Sequence, residues 1–380
     1  MERKFIVKNN QKKFHISIVI VFCIFAILAG KLVRHTVMRE TLVVPGIGWQ
    51  MVDKVNNKEY GFGCTIKDRS IDEAGSSATS NAGYIFEKIN FLNLASTYYE
   101  YELLISVVWN FLTFWILIRL KKSYTFSEMI FILISVSVLN IFDFTIAKEP
   151  VQMLYFILMF LVLKSNKTES LKYIFCILIY LLCFITYRNY YILMAAFMIF
   201  AYTIYKLVIS KISRINLKHI LLVLLSIFLC YFAFLNIAKI LDVTSYNELL
   251  RVRLRTSSAA SDMRSIFKSN NLILFSLDYI LMLVRMLIPI ELVKLGPKYA
   301  IYTIYQIIIS AIIISNIKNI NKISNERRVA LYIYMAFLMG SAAFEPDFGS
   351  WIRHEAVLFP VLLIICGFNE RNKKNEKRII

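Results

Sequence analysis

Near the C-terminus, Phe344-Glu345-Pro346-Asp347-Phe348-Gly349-Ser350-Trp351-Ile352-Arg353-His354-Glu355 packs three carboxylates, an arginine and a histidine between two strongly apolar stretches. Charges at the rim of a membrane span are costly and face a cavity or a partner. Glu345 and Asp347 can accept a proton or polarise a hydroxyl, and His354 titrates near neutrality and can shuttle a proton. Arg353 can clamp a phosphate through two parallel hydrogen bonds. Pro346 and Gly349 break a helix and bring backbone N–H groups within reach. A plain helix–helix turn, its charges paired with one another, is the competing reading. Such a turn needs only a few polar residues, so the density of reactive types favours a site.

Three further stretches carry chemistry. In Lys148-Glu149-Pro150, Pro150 suits the first turn of a helix and Glu149 is a favourable charge at a helix N-terminus. Capping explains that pair as well as catalysis does, and Asp143, one to two turns earlier, can share its pocket. In Tyr187-Arg188-Asn189-Tyr190-Tyr191, an arginine among tyrosines suits stacking on sugar or holding a lipid phosphate. The plainer reading there is an aromatic belt with a snorkelling cation. Arg251, Arg253, Arg255 and Arg264 form a basic stretch whose alternation puts the first three on one side of an extended chain. It implies an anionic ligand, and Arg285 and Glu291 extend that charge into an apolar segment. No Walker-type glycine loop, His-x-x-His or Cys-x-x-Cys pair, or Gly-x-Ser-x-Gly elbow occurs. ATP hydrolysis, haem chemistry and a conventional serine hydrolase are therefore disfavoured. No cofactor or metal is expected, and the energy of any reaction must come from the substrate.

The elements that position these residues are apolar throughout. Of 380 residues 58% are hydrophobic, and the mean hydropathy is +0.61. Runs near the ~20 residues that cross a bilayer as a helix recur, without the alternation of a β-barrel. The pattern predicts an all-α, polytopic integral membrane protein. About ten transmembrane helices fall near 15–33, 103–119, 126–145, 150–164, 171–187, 190–207, 219–240, 298–316, 328–344 and 356–368. A re-entrant or interfacial segment near 272–297 holds Asp278, Arg285 and Glu291. Residues 1–380 read as a single transmembrane domain with long outer loops at 34–102 and 241–271. The net charge of +19 sits in every second connection. Those connections hold 24 of the 44 Lys and Arg but only five of the 25 acids, which is a topology signal and not a nucleic-acid signal. Both termini are expected in the cytoplasm. The first apolar run lacks a small-x-small cleavage site and reads as an uncleaved span.

These features together resemble the Wzy-type polysaccharide polymerases of the bacterial inner membrane. The resemblance rests on Lys148-Glu149-Pro150-Val151-Gln152, Tyr187-Arg188-Asn189-Tyr190-Tyr191, Arg285 to Leu292 with Gly296-Pro297-Lys298-Tyr299, and Phe344 to Glu355. It implies joining of lipid-diphosphate-linked oligosaccharide repeat units into a surface polysaccharide on the outer face of the cytoplasmic membrane. The substrate would be an undecaprenyl-diphosphate-linked oligosaccharide, with a flippase and a chain-length regulator as companions. In that reading His354, Glu345 or Asp347 orients or deprotonates the acceptor hydroxyl. Arg353, Arg188, Arg253, Arg255 and Arg285, with Glu149 and Lys148, bind the substrate. Alternatives are a C-type membrane glycosyltransferase using a polyprenyl monophosphate sugar, and a flippase or transporter of the lipid-linked glycan. The former typically has an acidic pair early in its first outer loop. The only adjacent pair in 34–102 is Asp72-Glu73, about forty residues past the first span.

Overall fold

The computed structural model describes residues 13–43, 52, 56, 74–188, 190–207, 209–211, 217–240, 263, 265–267, 271–296, 299–344 and 347–368. Each of the ten apolar segments is helical: α1 (Ile16–His35), α4 (Tyr98–Leu120), α5 (Phe126–Phe142), α6 (Glu149–Lys164), α7 (Glu169–Thr186), α8 (Tyr191–Leu207), α9 (Leu217–Ile240), α11 (Ala300–Lys318), α12 (Asn325–Phe344) and the pair α13 (Phe348–Ala356) and α14 (Phe359–Ile365). The 272–297 segment is α10 (Leu272–Leu287) followed by a 3-10 turn, Ile290–Leu295. A short antiparallel ribbon, β1 (Lys13–His15) with β2 (Ser123–Thr125), leads into α1 and α5.

Among the described residues, four stretches are long and apolar enough to cross a membrane: Ile16–His35, Tyr98–Leu120, Glu169–Thr186 and Tyr191–Lys211. A fifth is added if α13 and α14, bent by 72° at their junction, count as one span. Helices in the protein centre need no lipid-facing surface. α12 is buried on nearly every face from Arg328 to Ala343, and α14 is buried throughout. A helix that is apolar all round belongs in such a centre. α1 is the reverse, with Val21, Phe25, Leu28 and Leu32 exposed and only four residues buried. A row of large exposed apolar side chains is what hydrocarbon, not water, accommodates.

Local chemistry sets the helix ends. Thr97 and Glu100 form a reciprocal capping box that starts α4. Pro150 occupies the first turn of α6, where its missing N–H costs nothing. Ala26 and Gly30 form a small-residue seam on α1: a Cβ at Gly30 would lie 3.0 Å from the Ser137 carbonyl oxygen, so α5 approaches closely there. At the opposite end of the bundle, Arg328 pairs with Glu169 at 2.8 Å and ties α12 to α7.

The 34–102 segment departs from the expected loop. It contains α2 (Arg39–Leu42) and α3 (Ala74–Ile89), the latter taking in the Gly75-Ser76-Ser77 stretch. Tertiary packing overrides the weak helix propensity: Ala82 and Phe86, four residues apart, are fully buried, and the Phe86 ring meets Trp109 edge-on at 6.1 Å.

Candidate functional site

Three stretches far apart in sequence meet at the N-terminus of α6. Glu149 opens that helix and is 1% exposed. Its Oε1 lies 3.6 Å from His354 Nε2 and 3.7 Å from Arg353 Nη1, both on α13. These are ion-pair rather than hydrogen-bond distances. The start of α6 is pinned by Trp109, whose indole N–H donates to the Pro150 carbonyl at 2.6 Å. Tyr187 adds a bond from its hydroxyl to the Lys148 carbonyl.

The turn between α7 and α8 forms the second wall. Arg188 is buried, its guanidinium 5.3 Å from the Tyr190 ring centre and 5.9 Å from that of Tyr187. Its Nη1 donates to the Tyr190 hydroxyl at 2.6 Å, and it stands within charge range of His354. Tyr190 stacks on Phe344 on one side and on Tyr191 on the other, with ring centres 5.5 and 5.2 Å apart. Gln152 donates to the Tyr191 hydroxyl, which anchors this stack to α6.

Asp143, at the C-terminus of α5, is completely buried, and neither carboxylate oxygen has a hydrogen-bond partner among the described residues. Glu149, Arg353 and Arg34 are the charges that act on it. Orphaned buried oxygens of this kind call for a proton, a water or a ligand hydroxyl.

Some expected residues take other roles. Asp347 is the N-cap of α13 and accepts from the Ser350 N–H at 2.8 Å, so its first task is to start the helix that carries Arg353 and His354. Arg285 forms a bidentate pair with Glu291 at 2.8 and 2.7 Å, so two charges aimed by the sequence at a ligand satisfy each other. Lys148 contributes its carbonyl, not its ammonium, to the contact with Tyr187. Glu345, Arg253 and Arg255 lie outside the described residues, as does Asn189.

Glu355 is fully buried and accepts from Tyr334 at 2.7 Å and Tyr302 at 2.8 Å. Glu355→Ala is expected to strand both phenols beside a new cavity and to destabilise the protein by about 3–5 kcal/mol. Glu355→Gln keeps an acceptor and should lose less. Thermal unfolding of the detergent-solubilised variants checks the order.

A second ionic cluster escaped sequence reasoning. Lys31, Arg34 and His35 surround Glu102 at 2.8, 3.1 and 3.2 Å. Arg34 also donates to the Ile141 and Leu42 carbonyls and to the Tyr98 hydroxyl. The available signal was a lysine, an arginine and a histidine at i, i+3 and i+4 on one face of an apolar helix.

Chemically, a carboxylate beside an imidazole can orient it and stabilise its cation, as a general base requires. The His354 side chain is 3% exposed, whereas Arg353, with its side chain 39% exposed, reaches the surface. Together with Arg188 it offers two cations to an anionic leaving group. Among the described residues, no group of three His, Cys, Asp or Glu is arranged to hold a metal. No family model, curated protein or solved structure matches the chain.

Proposed function

We propose that this protein is a bacterial inner-membrane polysaccharide polymerase that joins lipid-diphosphate-linked oligosaccharide repeat units. The observation that carries the reading is the meeting of Glu149, Arg188, Arg353 and His354 from three separate stretches. In the proposed reaction, an acceptor hydroxyl oxygen bonds to the reducing-end anomeric carbon of the lipid-linked donor. The bond from that carbon to the diphosphate breaks, and the lipid diphosphate leaves with the electron pair. His354 takes the hydroxyl proton while Glu149 stabilises the imidazolium. Arg353 and Arg188 neutralise the leaving diphosphate, an electrostatic contribution that usually dominates such catalysis.

The proposed topology has about ten crossings with both termini in the cytoplasm, so that the site faces outward. Ten helical apolar segments and the alternating basic connections support it. A re-entrant reading of 272–297 is supported by the end of α10. The Leu287 carbonyl accepts from Ser310, about 15 Å along α11 from its start, so α10 ends partway along α11 and not level with its start.

The test is coupling by the purified protein in vesicles supplied with diphosphate-linked repeat units. Products of two or more units are expected, and a monophosphate-linked sugar should give none. Transport without coupling, or product from the monophosphate donor alone, would overturn the proposal in favour of a flippase or a C-type transferase.

A further inference from the structure

The Lys31–Glu102 cluster closes one end of a lengthwise groove between α1 and α4. The groove holds about 480 Å³ and opens on the surface that bears the exposed apolar side chains. Leu28, Leu103, Val107 and Phe111 form its walls, and Lys31 and His35 stand at its head. These walls are 46–69% exposed. Two floor residues are polar but mutually satisfied: Asn110 exchanges hydrogen bonds with Asn140 of α5, and Ser106 donates to the same side chain. The floor therefore needs no water, and a chain can lie along it.

The head differs from an ordinary snorkelling lysine. Lys31 and Arg34 share the single buried carboxylate of Glu102, and His35 adds a third donor. Lys31 Nζ uses two of its three donors, on Glu102 and the Phe144 carbonyl, and His35 remains about a third exposed. Trough and head together match an amphiphile with one apolar chain and a phosphate head group. The same head touches the wall of the candidate site. Phe144 bonds Lys31, Ile141 bonds Arg34, and the strand of chain that continues from them delivers Lys148 and Glu149.

We infer that the α1–α4 groove is a binding site for a single-chain isoprenoid phosphate, its chain along Leu28, Leu103, Val107 and Phe111 and its phosphate at Lys31 and His35. The choice of an isoprenoid over a glycerophospholipid rests on the proposed function, and the groove and its cationic head do not.

Native mass spectrometry of the full chain in detergent, with geranylgeranyl phosphate as probe, tests this. Geranylgeraniol and inorganic phosphate are each expected to bind at least about tenfold more weakly, since each lacks one half of the recognition. Val107→Trp fills the trough from a lipid-facing position without touching the ion cluster, and Lys31→Gln removes a head-group donor. Each should weaken the probe about tenfold. Unchanged binding in V107W overturns the groove, and so does inorganic phosphate competing as well as the probe. Equal binding of dioleoylphosphatidylglycerol overturns the isoprenoid assignment. Probe binding that depends on Val107 in a protein that does not couple repeat units would sink the polymerase reading alone.

Discussion

Arg353→Ala is expected to abolish polymer while single repeat units persist. Removing a charge that stabilises a leaving diphosphate should cost a factor of about 10² or more in coupling. The fold should lose less than in Glu149→Ala, because the Arg353 side chain is 39% exposed and the buried Glu149, 3.7 Å from it, still has His354 at 3.6 Å. Arg353→Lys keeps the charge without the planar fork and should fall between the two. The readout is glycan chain length on a gel, normalised to protein level in the membrane. Wild-type chain length in a normally expressed Arg353→Ala strain removes this residue from the reaction.

Glu149→Ala should hurt both stability and turnover. Glu149 is enclosed, and its loss takes away the carboxylate that His354 and Arg353 approach. Stripping one partner from a buried ion pair typically costs about 3–5 kcal/mol. Coupling should also drop about 10²–10⁴-fold as the imidazole loses its orienting carboxylate. Glu149→Gln separates the effects, because the amide keeps the volume and the helix start but not the charge. It should melt close to wild type and still couple slowly. A Glu149→Gln enzyme with full turnover would show that the carboxylate does no more than begin α6.

How much of this was legible depended on which forces act locally. Apolar runs bounded by Thr97, Thr125, Thr168 and Asn271 declare helices, because membrane burial and end-capping depend on neighbours within a few residues. α3 was not legible, since its helix exists only where Ala82 and Phe86 reach protein, and composition alone reads it as a loop. Within the site, residue types flagged Glu149, Arg188, Arg353 and His354, but only packing brings them to one place. The same types flagged Arg285 and Asp347, which packing gives to Glu291 and to the Ser350 N–H. Glu102 was invisible because an acid before an apolar run has no meaning until Lys31, Arg34 and His35 close on it.

His354 and Glu355 are successive residues of α13, so their side chains leave the helix about 100° apart. One meets Glu149 of α6, and the other is gripped by the hydroxyls of Tyr302 and Tyr334 on α11 and α12. The helix is keyed like a shaft in a slot: it cannot spin without pulling Glu355 from both phenols. The aim of the imidazole is thus written in two helices that carry none of the converging charges. A change in how α11 sits against α12 reaches His354 as a twist, with no need for the backbone at the site to travel.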